Sequence, residues 1–543
     1  MNQTEITVDQ ESTQSKSGRI SAFLRWFILS LLVILALVPQ IVGRPTDPAV
    51  RNILTMVCGL AATIMFWVWL VRRSPLPRAV RRTFGWLGVA VALVSIACVR
   101  FDGFSGNMVP RFRLVWQVPA DTRLARPTVQ SQVVDLERRT EDDFPQFLGP
   151  HRDGTLPDRR IADPRRAPEL VWKQPIGAGW CAFAAVHGAA VTMEQRGPEE
   201  LVTCYDILTG NLLWAHAIEA RHETLMGGVG PRATPTIYQG RVLALGATGV
   251  LRCLDGATGT LLWQHDLPGE FGVPPGKDTD YVAWGRANSP LAYDDLVVVP
   301  AGGPKGRATS LVAYRITDGQ LAWKAGDEQI SYSSPVLVTL NGRRQLITVN
   351  ESTVSGHDPV TGELLWKFSW PGSSVQDANT SQPHVFMDTV LVSKGYGGGL
   401  ARFRIDGNRA EKIYHNRQVL RTKLTSFVIL ENYGFGLSDG ILECVDLRDG
   451  QRQWKQGRYG HGQILLVGNH LLVLTENGEL AIVEATPEEF RETMRVAALE
   501  GPTWNNLCLY GSYLLIRNAG QAACYKLSIE RNSTSDSTAN LLE

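Results

Sequence analysis

The chain of 543 residues carries almost no net charge: 54 Lys and Arg stand against 53 Asp and Glu, a formal +1. A balanced surface gives no electrostatic footing for nucleic acid, which requires a basic face. None of the eight cysteines forms a Cys-x-x-Cys pair, and no Cys-x-x-Cys-His occurs, so neither a disulfide framework nor a covalent haem is indicated. No nucleophile-elbow or zinc-ligand spacing is present. The run Gly397-Gly398-Gly399 lacks the Lys-Ser/Thr of a phosphate loop and reads as a turn. Proline, at 29 residues, is too sparse for extended disorder. What the chain does have in quantity is glycine (52) and tryptophan (15), which suit short strands joined by tight turns.

Three apolar runs follow a polar, disordered cytoplasmic tail at 1–19. They lie at 26–42, 53–71 and 84–99 within a membrane domain of 20–100. A span needs about 20 mostly apolar residues, and Arg25 and Arg100 can extend the shorter runs by snorkelling. The second loop holds Arg72, Arg73, Arg78, Arg81 and Arg82 with no acidic residue, whereas the first holds Arg44, Asp47 and Arg51. The bias of arginines to the inner side puts the second loop in the cytoplasm and everything after Val99 outside. The expected location is the cytoplasmic (inner) membrane, multi-pass, with the remainder in the periplasm or another extracytoplasmic space. Residues 101–167, rich in Arg, Asp and Pro, read as a linker that is partly ordered near 144–158.

From Glu169 the chain repeats itself. One signature reads Cys204-Tyr-Asp206-Ile-Leu-Thr-Gly210-Asn-Leu-Leu-Trp214. It returns at Cys253…Trp263, at Ala313…Trp323 (with Arg315 in place of Asp), at His357…Trp366 and at Cys444…Trp454. A degenerate copy passes through Asp406-Gly407 and ends near Tyr414. The Asp caps a hairpin turn, Gly accepts positive φ, and the next strand presents Trp. Because the aspartates recur in the repeats, they are turn caps rather than metal ligands, and the tryptophans pack between units. The cysteines of the signature alternate with Ala and read as small buried residues. A second motif, an apolar inner strand, begins near Trp180, Arg232, Asn288, Tyr332, Thr380, Leu424, His461 and Trp504. Eight inner strands imply an all-β, eight-bladed propeller of four-stranded antiparallel blades over 168–528, preceded by about three transmembrane helices and followed by a disordered tail at 529–543. The surplus outer strand at Trp172 is expected to complete the last blade and close the ring.

These residues resemble the PQQ-repeat propellers, which include the quinoprotein alcohol dehydrogenases and the BamB assembly lipoproteins. The resemblance covers about 144–527, and 144–154 is similar to the opening motif of many bacterial PQQ-like repeat proteins. It implies one of two things. The dehydrogenases hold PQQ and Ca²⁺ on the propeller axis beneath an adjacent Cys-Cys ring, which this chain lacks. The BamB-like members bind protein partners without a cofactor.

Residues just before each inner strand are expected to ring one mouth of the axis: Trp180, Arg232, Trp284, Arg286, Tyr332, Lys423, His461 and Trp504, with Glu194 facing it. Aromatics and arginines favour interfaces and ligand sites; their bland role is to fill and cap the channel. No catalytic or metal-ligating residue is assigned, and cofactor-binding residues stay open. The expected function is a protein-interaction or binding scaffold without a cofactor, its partners the membrane and another extracytoplasmic or membrane protein. Two alternatives stay open: a PQQ-dependent oxidoreductase with Ca²⁺, and a small-ligand or sugar-binding sensor.

Overall fold

The repeat signature is a hook between neighbouring units. The Asp206 carboxylate accepts from Leu208 N at 3.0 Å, Thr209 N at 2.7 Å and the Thr209 hydroxyl at 2.8 Å. Gly210 then turns at φ +72°, a conformation that costs glycine little. The returning strand presents Trp214, whose indole N–H donates to Gly256 O of the next unit at 3.1 Å. Its ring lies so close to Gly259 that a Cβ there would approach it to 2.5 Å. The same hook joins Trp172 to Ile207 O (2.8 Å), Trp263 to Ile316 O (2.9 Å) and Trp454 to Thr486 O (2.8 Å). Tyr414 substitutes its hydroxyl, which donates to Leu447 O at 2.9 Å. Trp366 departs from the pattern and donates to the Gln345 side chain at 2.7 Å; the turn that follows it is the degenerate Asp406-Gly407. Since Asp206 acts as a cap, Asp206→Ala should cost about 1 kcal/mol in denaturant unfolding. Calcium should leave the midpoint of either protein unmoved; a calcium-dependent midpoint lost in the variant would assign the carboxylate to a metal instead.

The computed structural model describes residues 30–34, 37, 48–127, 132–372 and 374–532. It forms two compact units, Met1–Gln117 and Val118–Glu543. In the first, helices α1 (Pro48–Arg73) and α2 (Arg78–Cys98) are long and apolar enough to cross a membrane. They contain the run expected at 53–71 and all but the last residue of the run expected at 84–99. Most of the run expected at 26–42, and the 1–19 tail, lie outside the described residues. The five arginines flank the short α1–α2 turn, where Arg81 Nη1 donates to Arg72 O at 2.9 Å. After α2 comes a hairpin of β1 (Val99–Phe104) and β2 (Pro110–Leu114).

The second unit is an eight-bladed propeller of four-stranded antiparallel blades. The blades occupy 184–219, 236–266, 291–325, 336–369, 384–416, 428–458, 463–497 and 508–526. Before them run three short strands, β3 (Thr155–Leu156), β4 (Arg159–Ile161) and β5 (Glu169–Pro175). The last blade supplies only three strands of its own, and β5 is its fourth, with Trp172 opposite Cys524. The ring thus closes as its strand count requires, leaving no bare edge at the seam. Arg517, fully buried, reinforces that seam: from the last blade it donates to Gly177 O (2.8 Å), Met193 O (2.7 Å) and Thr192 Oγ1 (2.8 Å) beside the first.

Around the axis, buried Ser, Thr, Asn and Gln side chains tie each inner strand to the next. Asn505 Nδ2 donates to Cys181 O (2.7 Å), Ala182 N to Thr234 Oγ1 (3.1 Å), Thr234 N to Ser289 Oγ (2.9 Å) and Ser289 N to Ser334 Oγ (2.8 Å). Gln463 Nε2 spans blades six to eight, donating to Leu424 O and Trp504 O, both at 2.8 Å. Buried polar groups are tolerable when paired in this way.

Within 101–167, residues 139–161 cross the face where the inner hairpins turn. Phe144 bridges Ala185, β3 pairs in parallel with Gln463–Val467, and β4 pairs with Ile529–Arg531 at the start of the expected tail. Arg152, buried at the middle of this arm, donates to Ser289 O and Pro290 O, each at 3.0 Å; desolvation draws its pKa down to about 9. Clefts of about 600 and 530 Å³ lie along the arm. Residues 533–543 lie outside the described residues.

Candidate functional site

At the opposite face, where the inner strands begin, the sequence-predicted residues divide into two groups. Trp180 and Trp504, from the first and last blades, pack with ring centroids 4.6 Å apart and planes tilted by 38°. Trp180 Nε1 donates to Gly227 O at 2.9 Å, and Trp504 Nε1 to Glu476 Oε1 at 3.1 Å. Trp284 and Tyr332 form a second pair at 5.3 Å. Between them Arg232 is wrapped by the glycine-rich segment 226–230, donating to Gly227 O at 2.6 Å and also to Gly228 O and Gly230 O. Desolvation lowers its pKa to about 10, so it stays cationic at neutral pH. Lys423 lies 4.9 Å from the Tyr396 ring, a cation–π distance. His461 is buried, and its backbone N–H donates to Glu476 Oε2 at 2.9 Å.

Arg286 and Glu194 do something else. Arg286 is fully buried and pins the 267–287 loop, donating to Asp278 (2.9 Å) and Ala301 O (2.5 Å). Glu194 lies on the second strand of the first blade. It is buried beside the ring seam, where it accepts from Gly177 N (2.8 Å), Thr203 Oγ1 (2.8 Å), Arg196 Nε (2.9 Å) and the Tyr205 hydroxyl. Burial alone raises its pKa, but Arg196 and Arg517 hold it below the ordinary carboxylate value. A second strand of a blade is covered on both faces by its neighbours, so alternation does not aim its side chains at the axis.

Sequence reasoning missed three members of this face. Tyr396 and His222 sit in loops without periodicity; burial, and then Arg232, depress the His222 pKa to about 3 and keep it neutral. The third is the hairpin of Glu223–Thr224 and Gly228–Val229. Its tip exposes Leu225 (70%) and Met226 (44%) directly above Trp180. In the sequence the run Met226-Gly-Gly-Val-Gly-Pro-Arg232 reads as a glycine-rich loop over the mouth, with nothing to mark its apolar tip.

Residues 198–456 match the family model described as outer membrane protein assembly factor BamB. Among solved structures, BamB from Moraxella catarrhalis is 18% identical over 66% of this chain and 100% of that one, with a TM-score of 0.49. Quinohemoprotein alcohol dehydrogenase from Comamonas testosteroni is 12% identical over 72% of this chain and 81% of that one, with a TM-score of 0.54. At 12% identity the likeness to the dehydrogenase is one of fold. No curated protein matches the sequence. The repeated Asp-x-x-Thr-Gly…Trp hook and the closed ring make this chain an eight-bladed β-propeller, and blades one to six contain the stretch that is similar to the BamB family model.

Proposed function

We propose that this protein is a membrane-anchored scaffold whose extracytoplasmic propeller binds a protein partner at the face carrying Trp180, Trp504 and the 225–226 tip. The observation that carries this reading is the exposed Leu225–Met226 tip held over half-buried tryptophans beside a cationic Arg232. Aromatic and arginine anchors with an adjoining apolar projection are what protein interfaces bury at their centres. The apolar helices support the anchor, and the arginines at the α1–α2 turn support placing the propeller outside. The first span at 26–42 completes the proposed topology.

The quinone reading fits the residues less well. Among the described residues, no group of three or more His, Cys, Asp or Glu side chains converges to hold a metal. Glu476, the carboxylate at the tryptophan pair, already accepts from Trp504 Nε1 and His461 N. The cysteine nearest the mouth, Cys181, is buried against Met193 O.

Leu225→Asp and Trp504→Ala should each lower partner recovery from mildly solubilised membranes by roughly thirtyfold, the equivalent of about 2 kcal/mol at an interface centre. The far-UV spectrum and melting midpoint of Leu225→Asp should stay unchanged. Undiminished recovery in both variants contradicts the proposal. Dye-linked alcohol or sugar oxidation appearing on addition of PQQ and Ca²⁺ would favour the oxidoreductase reading.

A further inference from the structure

The β1–β2 hairpin begins at the residue where α2 ends, and its sequence alternates. In the register Val99↔Leu114, Arg100↔Arg113, Phe101↔Phe112, apolar residues share one face and arginines the other. Among the described residues the hairpin is a sheet of two strands. Phe112 is 64% exposed, and Trp116 just beyond β2 is 65% exposed. A two-stranded hairpin of this kind is marginal in water.

Two further observations say what covers it. First, the hairpin lies across the end of the helix pair. Val115 N donates to Cys98 O at 2.8 Å, and Asn52 Nδ2 in the first turns of α1 donates to Asn107 O at 2.8 Å in the hairpin turn. Secondly, Arg100 stands directly opposite Arg113. Like charges so placed destabilise a ladder, and within the hairpin's own sequence Arg100, Arg111 and Arg113 stand against one carboxylate, Asp102, which lies 3.6 Å from Arg113 Nε. That face carries net positive charge from the hairpin's own residues, and the opposite face exposes Phe112. A phospholipid interface suits both, with an acyl boundary for aromatic rings and phosphates for guanidinium groups.

We propose that the β1–β2 hairpin is an interfacial anchor. It seats Phe101, Phe112 and Leu114 at the headgroup–acyl boundary and presents Arg100, Arg111 and Arg113 to the phosphates of anionic phospholipids. This rests on the reading of α1 and α2 as membrane spans.

The test uses the full chain in vesicles of phosphatidylcholine and phosphatidylglycerol, with p-benzoylphenylalanine placed at Phe112 or, within α2, at Leu93. On irradiation both positions should form lipid adducts. Adducts at 112 should be enriched in phosphatidylglycerol over its share of the bilayer by about fivefold for each arginine that meets a phosphate. The combined R100Q, R111Q and R113Q variant should return the ratio to the bulk composition. Lipid adducts at 93 with none at 112, or protein adducts alone at 112, overturn the anchor while leaving the spans standing. Adducts at 112 without enrichment overturn the role of the arginines. No lipid adduct at either position removes the membrane reading and the anchor together.

Discussion

Deleting Glu169–Pro175 should speed hydrogen exchange in the last blade, 508–526, at least as much as in the first, although the deleted strand precedes that blade by more than three hundred residues. The reason is the seam. β5 is the outer strand of the last blade, paired from Gln521↔Pro175 to Lys526↔Glu169. It also carries the hook into the first blade, through Trp172 Nε1 to Ile207 O at 2.8 Å and Gln174 Nε2 to Gly210 O at 2.7 Å. Removing it leaves a three-stranded blade with a bare edge and takes a large, half-buried aromatic from against a buried cluster that spans blades one, seven and eight. The aromatic alone is worth about 3–5 kcal/mol, so protection in 508–526 should fall by roughly a hundredfold or more. Loosening confined to the first blade would mean that the ring closes elsewhere.

Trp214→Ala should destabilise the propeller by about 3–5 kcal/mol in denaturant unfolding. Trp214 is 1% exposed and lies in the cluster between blades one and two. Its loss empties that seam and leaves Gly256 O without its donor, two costs that add. Gly259→Ala approaches the same contact from the other side. Its φ of +73° disfavours a side chain, and the new Cβ would meet the Trp214 ring at 2.5 Å, so adding one carbon should also destabilise. Trp116→Ala, in the exposed segment after β2, should change stability by no more than about 0.5 kcal/mol. Equal losses at Trp214 and Trp116 would contradict the hook.

These two results depend on features that were legible in the sequence, because they recur. The spacing from Asp206 to Trp214 repeats, so one hook could be read several times over, and even Tyr414 was placed correctly in a degenerate copy. The surplus strand at Trp172 gave away the closure by simple counting. The apolar helix containing 53–71 was readable from length and apolarity. What was not legible depends on non-local pairing. Arg152 gives no sign in sequence that it caps carbonyls of the third blade, because the arm around it has no period. Glu194 was aimed at the axis by its place at the end of a strand, yet its partners Gly177, Thr203 and Arg517 come from two blades and a connecting segment. Arg286 shares its position before an inner strand with Arg232, but the nearby Asp278 draws it into the 267–287 loop. Position in the repeat therefore predicts the neighbourhood of a side chain, and its hydrogen-bond partners decide which way it turns.

The function assigned to the mouth is tested most directly by placing p-benzoylphenylalanine at Leu225, above Trp180, and separately at Met387, which is 59% exposed in an inner-hairpin turn on the other face. Irradiated in native membranes, the chain labelled at 225 should give a discrete protein adduct that disappears when Trp504→Ala is added, and the chain labelled at 387 should give none. No adduct at 225, or the same adduct from both faces, would contradict a protein interface at the tryptophan mouth.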